Sequence, residues 1–145
     1  MTITIAAGGV LMVSGAGLTA PAVAAEKARI TLKSAEFVPA AQHTTEGIEV
    51  TVSYNCAKGV AEWLQVEVTQ TSPEPENDDE PASGTSSQES VTCDGEDHTA
   101  KVGIIDAPAD VPLDEWHHPG SGDARAILSG DKNGIVAQVK GELRW

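Results

Sequence analysis

Basic residues are scarce. Nine Lys and Arg stand against 22 Asp and Glu in 145 residues, a formal net charge of −13. Such a chain lacks the positive footprint that nucleic acid requires, and anionic membrane surfaces repel it. Aromatic residues make up only 3%, one Phe, one Tyr and three Trp, too few to line a large aromatic pocket. The chain has no G-x-S-x-G, no H-E-x-x-H and no phosphate-binding glycine loop. After residue 25, no window longer than about ten residues keeps a 3.6-residue apolar period, so helices are not the building unit. What is present suffices for a packed core: hydrophobic residues are 40% and charged residues 21%. The length fits one domain.

Residues 3–25 carry no charge and end in Pro21-Ala22-Val23-Ala24-Ala25. An apolar stretch followed by small residues has the form of a signal peptide over residues 1–25, cut after Ala24 or Ala25. One feature departs from that pattern, because the first basic residue is Lys27 and an export signal normally carries a basic start. The length would also permit a membrane helix, but the stretch is rich in Gly, Ala, Ser and Thr. No Cys lies near the cut to carry a lipid. The expectation is a secreted, extracellular domain over 26–145, with no membrane contact after cleavage.

The two cysteines, Cys56 and Cys93, then read as one structural disulfide, as an even pair does in a small exported domain. The alternatives are a redox pair, which normally has C-x-x-C spacing, and metal ligation, which needs two more good ligands.

The remaining periodicity is that of strands. Ile48, Val50, Val52, Tyr54 and Cys56 share one phase, and Leu64, Val66 and Val68 share another. Arg29–Leu32 reads as a first strand and Phe37-Val38 as the start of a second short one. Val91 and Cys93 read as a short strand. Ala100, Val102 and Ile104 mark a further strand, as do Ala124, Ala126 and Leu128. A last strand carries Ile135, Ala137, Val139, Gly141, Leu143 and Trp145. Asp131-Lys132-Asn133-Gly134 is a hairpin turn by its residues. Seven or eight short strands joined by polar turns predict an all-β antiparallel sandwich. Two stretches break the pattern. Residues 71–88 hold three prolines and five acids within Glu74–Glu80, which predicts a mobile acidic loop without a packed element. Asp106–Gly122, with Pro108, Pro112 and Pro119, is expected to be irregular.

Candidate chemistry is sparse. Glu74, Glu76, Asp78, Asp79 and Glu80 invite calcium, but a calcium loop needs a glycine turn that is missing here, so the expectation is a solvated loop with at most weak cation binding. His117 and His118, beside Asp114 and Glu115, have donor atoms for a metal only if they lie in a loop. His98 lies near Cys93, Asp94 and Asp97, but a disulfide-bonded Cys93 leaves no thiolate to activate. No catalytic residue, cofactor or resident metal is therefore expected.

The tryptophans are better clues. Trp63 has the phase opposite to Leu64, Val66 and Val68, which points it away from the core. Trp116 lies in the Pro-rich stretch, next to His117 and His118. Each Trp either anchors a partner or a sugar ring from an exposed position or covers an edge of the sandwich.

Three segments also carry a family resemblance. They are Cys56 with Gly59, then Leu64-Gln65-Val66-Glu67-Val68-Thr69-Gln70, then Val91-Thr92-Cys93-Asp94-Gly95 with His98, followed by a P-G-x-G-x-A-x-A-x-L run from Pro119 to Leu128. Over roughly Ile48–Leu128 the chain resembles small secreted actinobacterial proteins known only as a domain of unknown function. The resemblance implies export, an immunoglobulin-like architecture and one disulfide, and it brings no activity or site. In size and charge alone the chain also looks like actinobacterial chromophore-carrying apoproteins.

The function expected from the sequence is a secreted, non-catalytic binding or interaction domain. Its partner would be an extracellular protein, a glycan or a small molecule, met at Trp63 or at Trp116, His117 and His118. The alternatives are a carrier of a small apolar ligand and a weak calcium or metal binder.

Overall fold

In the computed structural model, residues 27–39, 46–105 and 115–145 are described. The expected signal peptide and residues 106–114, including Asp114, lie outside them. Eight strands follow in order: β1 (Ala28–Val38), β2 (Gly47–Cys56), β3 (Trp63–Ser72), β4 (Ser83–Thr85), β5 (Glu89–Ser90), β6 (Asp97–Ile105), β7 (Ser121–Gly130) and β8 (Gly134–Arg144). The smaller sheet has the order β1-β2-β6. The larger has the order β4-β3-β7-β8, with β5 also pairing β3. All pairs are antiparallel. This is the expected all-β antiparallel immunoglobulin-like sandwich, with β1, β2 and β6 in one sheet and β3, β4, β5, β7 and β8 in the other.

Alternation decides which side chains meet between the sheets. Ile48, Val50, Val52, Tyr54 and Cys56 of β2 are buried, as are Val102 and Ile104 of β6. Leu64, Val66 and Val68 of β3 face them from the larger sheet, with Ala124, Ala126 and Leu128 of β7. Each such Val, Leu or Ile contributes roughly 1.5–3 kcal/mol by leaving water.

Two bulges revise the strand assignments made from sequence. β1 is one strand, not two: the register shifts between Leu32 and Ser34. The extra residue, Lys33, changes the inward phase from Ala28 and Ile30 to Ala35 and Phe37. That break in phase is what reads as a strand ending. In β8 the register shifts so that Ala137 faces Leu128 while Ile135 faces Ser129. Ile135 therefore leaves the inward row expected for it and is 55% exposed. The hairpin before it closes on Gly134, whose φ of +63° suits the left-handed position of a three-residue loop.

The segment 71–88 is not the wholly unpacked loop that its composition predicts. Its second half forms β4 on the edge of β3, where Ala82 is fully buried and Ser86 is 4% exposed. The Gln70 N–H donates to the Ala82 carbonyl at 2.8 Å, and the Ser86 N–H to the Val66 carbonyl at 2.8 Å. Backbone pairing along an open edge needs little side-chain hydrophobicity, so composition conceals it. Val91–Cys93, expected as a strand, is irregular, with β5 just before it.

Cys56 at the end of β2 and Cys93 after β5 form the disulfide, with Cα atoms 4.8 Å apart. It ties the smaller sheet to the segment that borders β3.

Candidate binding face

Side chains of β3 that do not enter the core form the outer face of the larger sheet, and pairing with β7 and β8 extends that face across three strands. Trp63 lies level with Ser129 and Ile135. The next row holds Gln65, Ile127 and Gln138, and the third holds Glu67, Arg125 and Lys140. Thr69, Asp123 and Glu142 complete the face. Trp63 is half-buried there, as its sequence phase predicted.

Polar groups on this face are held in place by one another. Arg125 donates from Nε and Nη2 to the Gln138 Oε1 at 3.1 and 2.9 Å, and its Nη1 lies 3.7 Å from a Glu67 carboxylate oxygen. Gln65 donates to the Ser86 carbonyl at 3.3 Å. Beside Arg125 and Lys140 an open depression of about 510 Å³ is bordered by Glu67, Asp123 and Glu142.

Trp116 is not an exposed anchor. It is 3% exposed and meets Trp145 edge-on, with ring centroids 5.9 Å apart. Its loop is drawn onto the core by polar contacts. The His117 N–H donates to Oε1 of the buried Gln70 at 2.9 Å, and Trp145 Nε1 donates to the His117 carbonyl at 2.8 Å. Gly120 and Trp145 exchange two backbone hydrogen bonds. A large ring system finds more stabilisation in that corner than in water, a choice that sequence phase cannot register outside a strand. His117 is half-buried and His118 is exposed, the latter stacked on Phe37 at 5.4 Å between centroids.

The three histidines considered for chemistry do not converge. His98 pairs with Tyr54 in register and stacks on it at 5.5 Å, whereas His118 stacks on Phe37, which pairs with Ile48. Six residues of β2 separate those rows, about 20 Å along the strand. His98 instead meets Asp94, Nε2 to Oδ1 at 2.8 Å, and this contact first, then the Glu96 N–H, holds the Asp94 carboxyl below its ordinary range. Asp97 is lowered in the same way, by the Asn55 amide and then the Arg29 guanidinium. Both acids are exposed and lie near the disulfide, where these contacts fasten the turn after Cys93. Among the described residues, no three His, Cys, Asp or Glu side chains gather as a metal site.

Sequence phase locates Trp63, Gln65, Glu67 and Thr69 on one face, but it misses Arg125, Gln138 and Lys140 as their companions. Only the strand pairing brings those three alongside.

No protein-family model matches the chain, and no curated protein matches it. Among solved structures it is similar to a β-glucosidase from Kluyveromyces marxianus in complex with glucose, at 15% identity and a TM-score of 0.35, covering 82% of this chain and 14% of that one. It is also similar to DesR, a β-glucosidase from Streptomyces venezuelae in complex with D-glucose, at 18% identity and a TM-score of 0.34, covering 80% and 15%. This chain thus spans about a seventh of the length of those enzymes. Likeness at this level carries nothing about activity or ligand.

Proposed function

We propose that this protein is an exported, non-catalytic binding domain that presents the outer face of its larger sheet to a partner. One observation carries the proposal. Four of its five aromatic side chains are occupied by a ring partner: Phe37 with His118, Tyr54 with His98, and Trp116 with Trp145. Trp63 has no ring partner among the described residues and stands half-buried, outside the core, on a strand whose alternate residues are locked in it. A large amphipathic side chain on a rigid support is the usual anchor of a recognition surface. Export is supported by the disulfide, which persists in oxidising compartments.

The test is capture from the native culture medium and cell envelope with the purified, disulfide-intact protein, wild type against Trp63→Ala. Capture that depends on Trp63 is the expected result. Equal capture by both proteins, or none by either, counts against the proposal. Since the Trp63 side chain lies outside the core, the variant should lose about 1 kcal/mol of stability or less, which a thermal melt checks.

A further inference from the structure

Resting on that binding reading, we infer that the partner at this face is an uncharged glycan chain, with Trp63 as the platform for one sugar ring. A pyranose offers one face of C–H groups to an aromatic ring and a rim of hydroxyls to hydrogen-bonding neighbours. The outer face of β3, β7 and β8 supplies both. Trp63 stands at one end, and the rows beyond it carry amides, a guanidinium and carboxylates, which donate to and accept from hydroxyl pairs. From Trp63 to Thr69 the face runs about 20 Å along β3, long enough for a short oligosaccharide rather than a single ring.

Charge narrows the class of partner. In a molecule of net charge −13, this face balances Glu67, Asp123 and Glu142 against Arg125 and Lys140. A near-neutral surface steers neither a strongly basic protein nor a polyanion. It suits a ligand whose recognition is all hydroxyl and C–H. A second copy of the chain is disfavoured, because it brings the same −13 and, among the described residues, finds on this face one exposed large apolar side chain, Ile135, beside the half-buried Trp63, too little for the apolar centre of a stable dimer. The polar groups are already positioned. The Arg125 fork is fixed on Gln138 and lies beside Glu67, so little side-chain ordering remains for the ligand to impose.

The experiment is native affinity electrophoresis of the disulfide-intact protein through gels containing laminarin, hydroxyethylcellulose, glucomannan or soluble starch, with sedimentation on insoluble cellulose and chitin. At least one of these neutral polysaccharides should retain the wild type. Trp63→Ala should weaken retention at least tenfold, and Gln138→Ala, at an exposed position, several-fold. Lys33→Ala on the opposite sheet should bind as the wild type does. Melting curves of each variant separate lost binding from lost fold. Failure of the whole panel to retain the wild type overturns the glycan assignment, as does undiminished retention of a folded Trp63→Ala protein. If the panel fails while native capture yields a protein through Trp63, the glycan is rejected and the binding domain stands. If both fail, the binding reading falls as well.

Discussion

Two tryptophans of this chain answer the same substitution in opposite ways. Trp116 fills a corner against Trp145 and is 3% exposed, so Trp116→Ala opens a cavity and should cost about 3–5 kcal/mol. A urea titration with an unchanged midpoint would show the ring to be dispensable. The acids near the disulfide make a second residue-scale case. Asp94 and Asp97 are both held below the ordinary carboxyl value of 3.8. A depressed pKa in the folded state stabilises the protein above the unfolded value and ceases to do so as pH falls through the folded one. The urea midpoint should therefore drop below about pH 4, with a shallower acid limb in the Asp94→Asn, Asp97→Asn double variant. Both groups are exposed, and added salt should reduce the effect.

At the scale of elements, the short edge strand β4 is the part that composition least reveals. Its register on β3 depends on backbone groups and on one hydroxyl: Ser86 Oγ accepts the Val66 N–H at 2.9 Å and donates to the Ser87 carbonyl at 2.8 Å. Ser86→Ala leaves a buried amide without its acceptor, a loss of about 1–3 kcal/mol. Hydrogen exchange should find the Val66 amide much less protected, while amides of β2 keep their protection. Equal protection in both would mean that another acceptor takes over. The bulges in β1 and β8 belong to this scale too. Each inserts one residue, Lys33 in β1 and Val136 in β8, and reverses the alternation from one side of it to the other, which is why Phe37 packs inward and Ile135 emerges.

At the scale of the whole molecule, a single covalent tie spans the sandwich. The Cys56–Cys93 bridge closes a loop with a sequence separation of 37, for which chain entropy predicts about 4 kcal/mol. Set against a typical total of roughly 5–15 kcal/mol, its reduction should bring the domain close to unfolding near body temperature. Urea titrations with and without a phosphine reductant would measure this, and coincident curves would contradict it. The chain's large negative charge adds self-repulsion, so salt should stabilise the reduced form more visibly than the oxidised one.

The sequence alone determined the strand-built class, the antiparallel sandwich, the cysteine pair and the outward phase of Trp63. Each of these follows from local alternation or from counting, and both survive without knowledge of neighbours. Tertiary structure decided the placement of β4 on its edge, the two bulges, the burial of Trp116 and the assembly of Arg125, Gln138 and Lys140 beside Gln65 and Glu67. Those outcomes turn on which strands pair and in what register. That choice is set by the sum of many long-range contacts, and no single stretch of chain records it.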